Sequence, residues 1–270
     1  MNIKTISLMQ LISRLNVFWI VLVAGLVNLP VIAETTEPGP DVGEHTRATL
    51  MNFTNFLSSQ KSFGYTAEMG YEAVQSSGLR IEFGATRKVT AQRPNRARVE
   101  AQRRDGSKRL VIIDGKEISV FDENENVYAI VPKQGTLTEI IDYFVDDLQM
   151  PLPLAELASD DLSEVLTENI SFGHTIGEST ISGILCDNLV LQNDEVDIQL
   201  WIAKGKKPLP RRVVITYKNE PGEPQFWATF VEWNLSPDVD DKQFTFKPPA
   251  DANRITFAPR LAVIPGGEEQ

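Results

Sequence analysis

The stretch that decides the fold is FGYTAEMGYEAVQSSGLRIEFGAT, residues 63–86. From Phe63 to Tyr71, apolar or aromatic side chains alternate with small or polar ones, and the same alternation returns from Leu79 to Ala85. The residues Ser77-Gly78 between the two runs are typical of a turn. Because a period of two places every second side chain on one face, this stretch predicts a half-buried antiparallel hairpin.

Further strands are predicted on both sides of the middle of the chain. They cover Arg96–Gln102, Arg109–Ile113, Glu117–Phe121, Val127–Val131, Ile170–Gly177, Ser179–Gln192, Val196–Ala203, Arg211–Tyr217 and Gln225–Trp233, with a short last strand near Ile255–Phe257. Asp105-Gly106 and Asp114-Gly115 fall between alternating runs and are strong hairpin signals. The residues therefore predict a mainly β (α+β) domain with an antiparallel sheet of about ten strands.

Two segments follow a helical pattern instead. The first, Thr46–Ser58, has apolar residues three and four positions apart. The second, Thr136–Leu148, opens with the capping-box pair Thr136 and Glu139 and carries a wide apolar face. A shorter helical piece is predicted at Leu154–Ala158. We expect this helical insertion to lie on the sheet that it interrupts.

The N-terminus predicts export. Lys4 and Arg14 precede the apolar run Val17–Val27, and small residues end at Ala33, which is the layout of a cleavable signal peptide over residues 1–33. The apolar run is shorter than the about 20 residues of a membrane span. An uncleaved N-terminal anchor is the alternative interpretation.

The remaining chain is divided by composition. Residues 34–45 are polar and rich in Pro and Gly and are expected to form a flexible linker. Residues 46–258 are expected to form a single domain, and residues 259–270 a disordered tail.

Charge and cysteine content restrict the function. The net charge of −11 becomes −13 if Lys4 and Arg14 leave with the signal, which argues against nucleic-acid binding because phosphates require a cationic surface. Cys186 is the only cysteine, so the chain forms no internal disulfide. An exported domain of this size without disulfides favours the bacterial periplasm.

The sequence shows little catalytic chemistry. His45 and His174 are the only histidines and do not form a zinc pattern with Cys186. A Cys186–His174 nucleophile pair is formally open, but a buried strand cysteine is favoured. We predict no enzyme, no catalytic residue, no metal and no cofactor. Asp187, Asn188 and His174 are the side chains that an enzyme hypothesis would examine first.

A basic stretch stands out in this acidic chain. Its ten cations are Arg80, Arg87, Lys88, Arg93, Arg96, Arg98, Arg103, Arg104, Lys108 and Arg109. One interpretation is a docking face for an acidic partner or anionic headgroups. The favoured one is a solvated outer face of the sheet, with Arg96 and Arg98 opposite Glu82 and its neighbours.

Apolar residues give the clearest functional indication. In Gln225–Trp233, the alternation predicts Phe226, Ala228 and Phe230 on one face and Trp227, Val231 and Trp233 on the other. Either a sheet that packs on both faces or a cavity for an apolar ligand explains this pattern. The candidate cavity residues are Tyr65, Met69, Ile81, Phe83, Leu137, Ile140, Ile141, Phe144, Leu200, Ile202, Ile215, Phe226 and Phe230.

A resemblance rests on a series of short motifs. They are Arg93-Pro94, Asp114-Gly115, Tyr128-Ala129, Pro151-Leu152-Pro153, Cys186-Asp187, Val196-Asp197, Leu200-Trp201-Ile202, Pro208–Arg212 with Val213–Tyr217, Gly222–Phe226, Trp233-Asn234, Phe244-Thr245-Phe246 with Pro248-Pro249, and Ile255. In this order they resemble a family of uncharacterised predicted periplasmic proteins, a domain of unknown function within the LolA-like (outer-membrane lipoprotein carrier) superfamily. The resemblance covers nearly all of the chain between Thr46 and Phe257. Asn188 and Ile198 depart from it, because the family pattern leads us to expect histidine and tryptophan there.

The resemblance implies a curled antiparallel half-barrel of about 10–11 strands, with helices covering its concave face. Relatives of that fold carry lipoproteins, lipids or other acyl groups. We therefore expect a periplasmic, non-enzymatic binder or carrier of an apolar ligand, with lipid or lipoprotein cargo. The alternative is an envelope protein-docking module without a small ligand. We expect no nucleic-acid partner, and no integral membrane segment after signal cleavage.

Overall fold

The computed structural model describes residues 41–148, 152–167 and 170–257. The predicted signal peptide, most of the predicted linker and the predicted tail lie outside these residues. Over the described ranges the chain is mainly β, and thirteen strands belong to one sheet. The strands are β1 Asp41–Val42, β2 Ser62–Val74, β3 Arg80–Gln92, β4 Arg96–Arg103, β5 Lys108–Ile113, β6 Glu117–Asp122, β7 Val127–Pro132, β8 Phe172–Ile181, β9 Ile184–Gln192, β10 Val196–Ala203, β11 Pro210–Tyr217, β12 Gln225–Asn234 and β13 Asn253–Arg254.

The sheet consists of two meanders placed side by side. Its strand order is β1-β8-β9-β10-β11-β12-β2-β3-β4-β5-β6-β7-β13. Strands β8–β12 form one meander and β2–β7 the other, and the antiparallel pair β12–β2 joins them. The two-residue edge strands β1 and β13 pair in parallel with β8 and β7. The open, curled sheet expected from the resemblance is therefore confirmed.

Short helices lie on the sheet. They are α1 Glu44–Ser58, α2 Leu137–Asp142, α3 Leu162–Thr167, a π-helical turn Tyr143–Asp147 that continues α2, and 3₁₀ turns at Ala155–Ala158 and Asp241–Phe244. The capping box is confirmed, because Thr136 Oγ1 accepts from the Glu139 amide and the Glu139 carboxylate accepts from the Thr136 amide. Helix α1 begins two residues earlier than predicted, and α3 was not predicted. Leu50, Phe53 and Leu57 of α1 are fully buried in the core.

The boundary predicted between β8 and β9 was wrong. Gly177 was expected to end the first strand, but it lies within β8 directly after a bulge at Ile176, with φ 143°, and β8 continues to Ile181. The chain turns instead at Ser182-Gly183, where φ is 48° and 79°. Positive φ at both central residues gives the turn whose twist matches an antiparallel hairpin.

A second bulge changes the face assignment in β12. Pairing with β2 shifts register between Phe230 and Glu232, so Val231 is inserted and the alternation restarts after it. Trp233, predicted on the face of Trp227, therefore packs with Phe230, and their ring centroids lie 5.1 Å apart. Val231 stays exposed on the outer face.

The outer face carries a ladder of aromatic and cationic side chains. The Arg212 guanidinium lies 5.9 Å from the Trp201 ring centroid and 5.4 Å from that of Trp227, and it donates to Thr229 Oγ1 at 2.7 Å. The Trp227 ring covers Gly70, where a Cβ atom would lie 2.7 Å from the ring. This contact explains a glycine in the middle of β2.

We predict that Arg212→Ala lowers the free energy of unfolding by about 1–3 kcal/mol. The variant loses two cation–π contacts of about 0.5–1 kcal/mol each and one hydrogen bond of about 1 kcal/mol. Urea unfolding followed by tryptophan fluorescence measures the change. Arg212→Lys is the control and should lose less, because it keeps the charge; equal stability of the alanine variant and the parent would contradict the prediction.

Candidate functional site: a cavity under the helical insertion

The main cavity lies between the concave face of β2–β6 and the helical insertion, and its volume is about 420 Å³. Most of its wall is apolar. From the sheet these residues are Phe63, Tyr65, Met69, Tyr71, Phe83, Ala85, Val89, Ala97, Val99, Ala101, Val111, Ile113, Val120 and Phe226, and from the insertion Leu137, Ile140, Ile141, Phe144, Leu152, Leu154, Ala155 and Ala158. The wall includes the exposed residues Phe83, Arg104 and Asp105, so the cavity opens where β2–β3 and β4–β5 turn.

Arg87 of β3 and Arg93, which directly follows β3, fasten the insertion to the sheet. Arg87 Nη1 donates to the Pro153 carbonyl at 3.0 Å. Arg93 Nη1 donates to the Ala158 carbonyl at 2.5 Å and to the Asp160 carboxylate at 2.8 Å. These contacts hold the segment 152–160 over the concave face and so form the roof of the cavity.

A smaller cavity of about 70 Å³ lies beyond this segment. Its wall comes from α1, α3 and the concave face of β9–β12, and it includes Leu200, Ile215, Tyr217 and Phe230. Leu154 borders both cavities. Its backbone is left-handed, with φ 69°, a conformation that costs a non-glycine residue roughly 1–3 kcal/mol.

The structure places the thirteen predicted cavity residues in three groups. Eight line the main cavity: Tyr65, Met69, Phe83, Leu137, Ile140, Ile141, Phe144 and Phe226. Leu200, Ile215 and Phe230 line the smaller one. Ile81 and Ile202 line neither, since Ile81 is exposed near the end of the hairpin and Ile202 is packed in the core. Ligand binding by these residues stays a prediction.

Sequence reasoning missed the wall contributed by β4 and β5. Val99, Ala101 and Val111 face the cavity. The alternation from Ala97 to Arg103 would have identified Val99 and Ala101, whereas Val111 lies in the unbroken apolar run Leu110–Ile113, where no alternation marks a face. Five cations of the basic stretch also line the cavity, and they are Arg87, Arg103, Arg104, Lys108 and Arg109.

Most of the basic stretch is ion-paired, but the expected outer-face position was wrong for Arg87, Arg103 and Arg109, which line the cavity. Seven of its ten cations lie within 4 Å of a carboxylate; the pairs are Arg80–Glu72, Arg93–Asp160, Arg96–Asp241, Arg98–Glu100, Arg104–Glu82, Lys108–Glu123 and Arg109–Asp122. The predicted pairing of Arg96 and Arg98 with Glu82 was wrong. β4 starts opposite Gln92, so these arginines lie far along β3 from Glu82.

Buried polar groups in the roof region have shifted pKa values. Burial lowers the pKa of Arg87, and the charge of nearby Glu156 opposes this shift. Burial also raises the pKa of Tyr65 to about 12 and that of Tyr71 to about 12. The cavity wall therefore holds neutral phenols and a buried guanidinium at neutral pH.

Because these phenols are buried, we predict that the folded protein loses stability at alkaline pH. The native state holds the protons of Tyr65 and Tyr71 up to about pH 12, whereas the unfolded chain releases them near the ordinary value of 10.0. The stability that the folded state gains from these protonated phenols is therefore fully present below pH 10 and is lost as pH rises from 10 to 12. Tyrosinate formation, followed by ultraviolet absorbance during a pH titration, should show phenols that ionise well above pH 10. The Tyr65→Phe variant should have one fewer of them. If every phenol of the folded protein ionises near pH 10, the prediction is wrong.

Neither cavity is lined by the side chains that an enzyme hypothesis would use. Asp187 lies 3.4 Å from Lys204 Nζ, Asn188 accepts from Gln199 at 3.1 Å, and His174 lies 3.2 Å from Asp41. Cys186 pairs with Ser179 while His174 pairs with Val190, which separates the two by roughly 15 Å along the strands. The formal Cys186–His174 pair is thus excluded.

Within residues 41–148, 152–167 and 170–257, no three His, Cys, Asp or Glu side chains come together as a metal site requires. None of the helices in these ranges has the length and apolar character needed to cross a membrane.

Comparison with known proteins gives one family. A family described as "Predicted periplasmic protein (DUF2092)" matches residues 46–258, which confirms the resemblance stated from the motifs. No curated protein matches the chain.

Several solved structures align with this chain over most of its length. An uncharacterised conserved protein from Thermus thermophilus is 14% identical with a TM-score of 0.47, covering 79% of this chain and 100% of its own. LprF from Mycobacterium bovis is 14% identical with a TM-score of 0.46, covering 80% and 100%. The LolA superfamily protein NE2245 from Nitrosomonas europaea is 13% identical with a TM-score of 0.38, covering 74% and 97%. No ligand or partner of this chain follows from such scores.

Proposed function

We propose, from the premise that this chain belongs to the DUF2092 family of predicted periplasmic proteins, that it is a non-enzymatic periplasmic binder or carrier of an apolar ligand. The observation that carries the proposal is the cavity of about 420 Å³ under the helical insertion. Export through the signal predicted at residues 1–33 would bring the protein to the compartment named by the family description.

The size of the cavity argues for an occupant. Protein interiors are packed as densely as organic crystals, so a void of this size in a domain is unusual. Because this cavity opens to solvent, water would fill it in the absence of a ligand, and its apolar wall would stay hydrated, which is unfavourable. An acyl chain in contact with Val99, Ile140 and Phe144 would displace that water, and lipid, a free acyl chain or lipoprotein cargo would supply one.

The opening of the cavity fits exchange with the surroundings. The wall reaches solvent at Phe83, Arg104 and Asp105, so a chain can enter from the end of the sheet without unfolding the roof. Arg87 and Arg93 meanwhile keep the roof segment in place. A small number of polar groups around an apolar cavity is the usual composition of a small-molecule site.

The direct experiment is mass spectrometry on protein purified from periplasm without detergent, followed by organic extraction. We expect acyl lipid or another apolar molecule to co-purify reproducibly, and its identity would name the cargo class. An apo mass that stays unchanged after incubation with envelope lipids would refute the carrier.

Protein docking is the second candidate function, and the edge of the sheet favours it. Strand β1 pairs with Phe172 and Gly173 of β8, and within the described residues no strand pairs with the outer side of β8 from Ile176 to Ile181. Ile176 is 58% exposed there. An extended segment of an envelope protein could add to such an edge. Capture of a stable partner together with an apo cavity would favour this function over the carrier.

A further inference from the structure

Three arginines surround one alanine on the wall of the main cavity. Ala101 of β4 pairs with Arg87 of β3 on one side and with Arg109 of β5 on the other. Arg103 follows two residues later on β4, and all four residues line the cavity. Neighbouring strands lie about 4.8 Å apart, so the three arginine Cα atoms form a triangle with sides of roughly 8–10 Å.

Two of these three arginines lack the ion pair that most cations of the basic stretch have. Arg87 and Arg103 form no ion pair within the described residues, whereas seven other cations of the stretch do. Arg109 is paired with Asp122 at 2.9 Å, which fixes its side chain against the wall. The Nε atoms of Arg87 and Arg109 are buried and have no hydrogen-bond partner.

Such an arrangement is unfavourable unless an anion completes it. Burial removes the hydration of the Arg87 guanidinium, and the charge of nearby Glu156 offsets only part of that cost, because the pKa of Arg87 stays below its ordinary value. A buried N–H without an acceptor adds to that cost. Most acidic groups of this wall are already engaged: Asp122 pairs with Arg109, Glu82 pairs with Arg104, and Asp105 accepts from the Ser107 amide at 2.8 Å. Glu156 lies on the roof segment, and its charge acts on Arg87.

We propose that Arg87, Arg103 and Arg109 bind the anionic headgroup of the ligand, so that the cargo is an anionic amphiphile whose acyl chain fills the apolar part of the cavity. This inference rests on the proposed carrier function and specifies its ligand. Ala101 provides space for the headgroup between the arginines. Guanidinium groups bind phosphate and carboxylate through paired N–H donors, and the acyl chain extends from there toward Val99 and α2.

The test compares probes that share one acyl chain and differ in headgroup. Binding of hexadecyl phosphate, palmitate and monopalmitoylglycerol is measured by displacement of a fluorescent apolar dye from the intact protein. We expect both anionic probes to bind at least about tenfold more tightly than the neutral one, about 1.4 kcal/mol. The tighter of the two anions identifies the headgroup as phosphate or carboxylate.

Variants locate the headgroup. Arg103→Gln should remove most of the preference for anionic probes and leave monopalmitoylglycerol affinity unchanged, and Arg103→Lys should restore part of it. Lys88→Gln is the matched control, since it removes one exposed cation from the other face of β3, and it should change neither affinity. Unchanged binding of the neutral probe shows that the variant is folded.

Different results would reject either the headgroup site alone or the carrier function as a whole. Equal affinities for anionic and neutral probes, or a preference that Arg103→Gln leaves intact, would reject the headgroup site and keep the carrier. Competition by inorganic phosphate as effective as that by hexadecyl phosphate would reassign the arginines to a free anion. Failure of every probe, including the neutral one, would reject the carrier function itself and the headgroup site with it.

Discussion

Val99→Trp should abolish binding of apolar ligand and leave a folded protein. Val99 lies at the middle of β4 and lines the main cavity, where its side chain is half-buried and faces open space. An indole at this position would occupy the volume that an acyl chain needs. Because the new ring enters an existing void, we expect it to avoid most of the cost of about 1–3 kcal/mol that overpacking of a filled core carries.

The measurement is the amount of extractable lipid per mole of purified protein, together with the affinity for monopalmitoylglycerol. Gln102→Trp is the matched control, since Gln102 is exposed on the opposite face of the same strand. We expect the control to bind normally. Normal binding by a folded Val99→Trp protein would show that the ligand does not occupy this cavity.

Phe230→Ala should cost about 3–5 kcal/mol of stability, the range measured for truncation of a buried aromatic side chain. Phe230 is 2% exposed, and its ring centroid lies 5.3 Å from that of Tyr65 and 5.1 Å from that of Trp233. The residue also lines the smaller cavity, so its removal would enlarge an existing void. The expected loss is a large part of the net stability of a typical domain.

Urea unfolding provides the measurement. We expect Phe230→Ala to unfold at a lower midpoint concentration of urea, while the slope of the unfolding free energy against urea stays unchanged. Val231→Ala is the control, because the neighbouring residue is 48% exposed on the outer face. It should stay within about 0.5 kcal/mol of the parent. A comparable loss in both variants would mean that β12 responds to any truncation and that the cluster around Phe230 has no special role.

Local patterns in the sequence predicted most of the fold. The hairpin β2–β3 and the turns at Gly106 and Gly115 follow from alternation and from Asp-Gly pairs, and both glycines have φ 90°. Alternation failed at the bulges of Ile176 and Val231, because one inserted residue reverses the face of everything after it. Helix α3 was missed because six residues are too few to show a helical period.

The candidate site was predictable only in part. Periodicity identifies which side chains share a face, and eight of the predicted residues indeed line the main cavity. It does not give the curvature of the sheet or the place where the roof ends, so Ile81 was included although it lies beyond the covered part. The arginines around Ala101 come together through cross-strand register, which is set by turn positions along the whole meander.

The strand order has a consequence for how the chain reaches this structure. Each meander is built from hairpins whose strands are near neighbours in the sequence, and such hairpins close within microseconds. The junction at the centre of the sheet is different: Gln225 and Glu72, which hydrogen-bond across it, are 153 residues apart. Closing so long a loop is entropically costly and slows folding. The concave wall thus becomes continuous only when the most distant segments of the chain meet, and the two halves can acquire their own hairpins before a common interior exists.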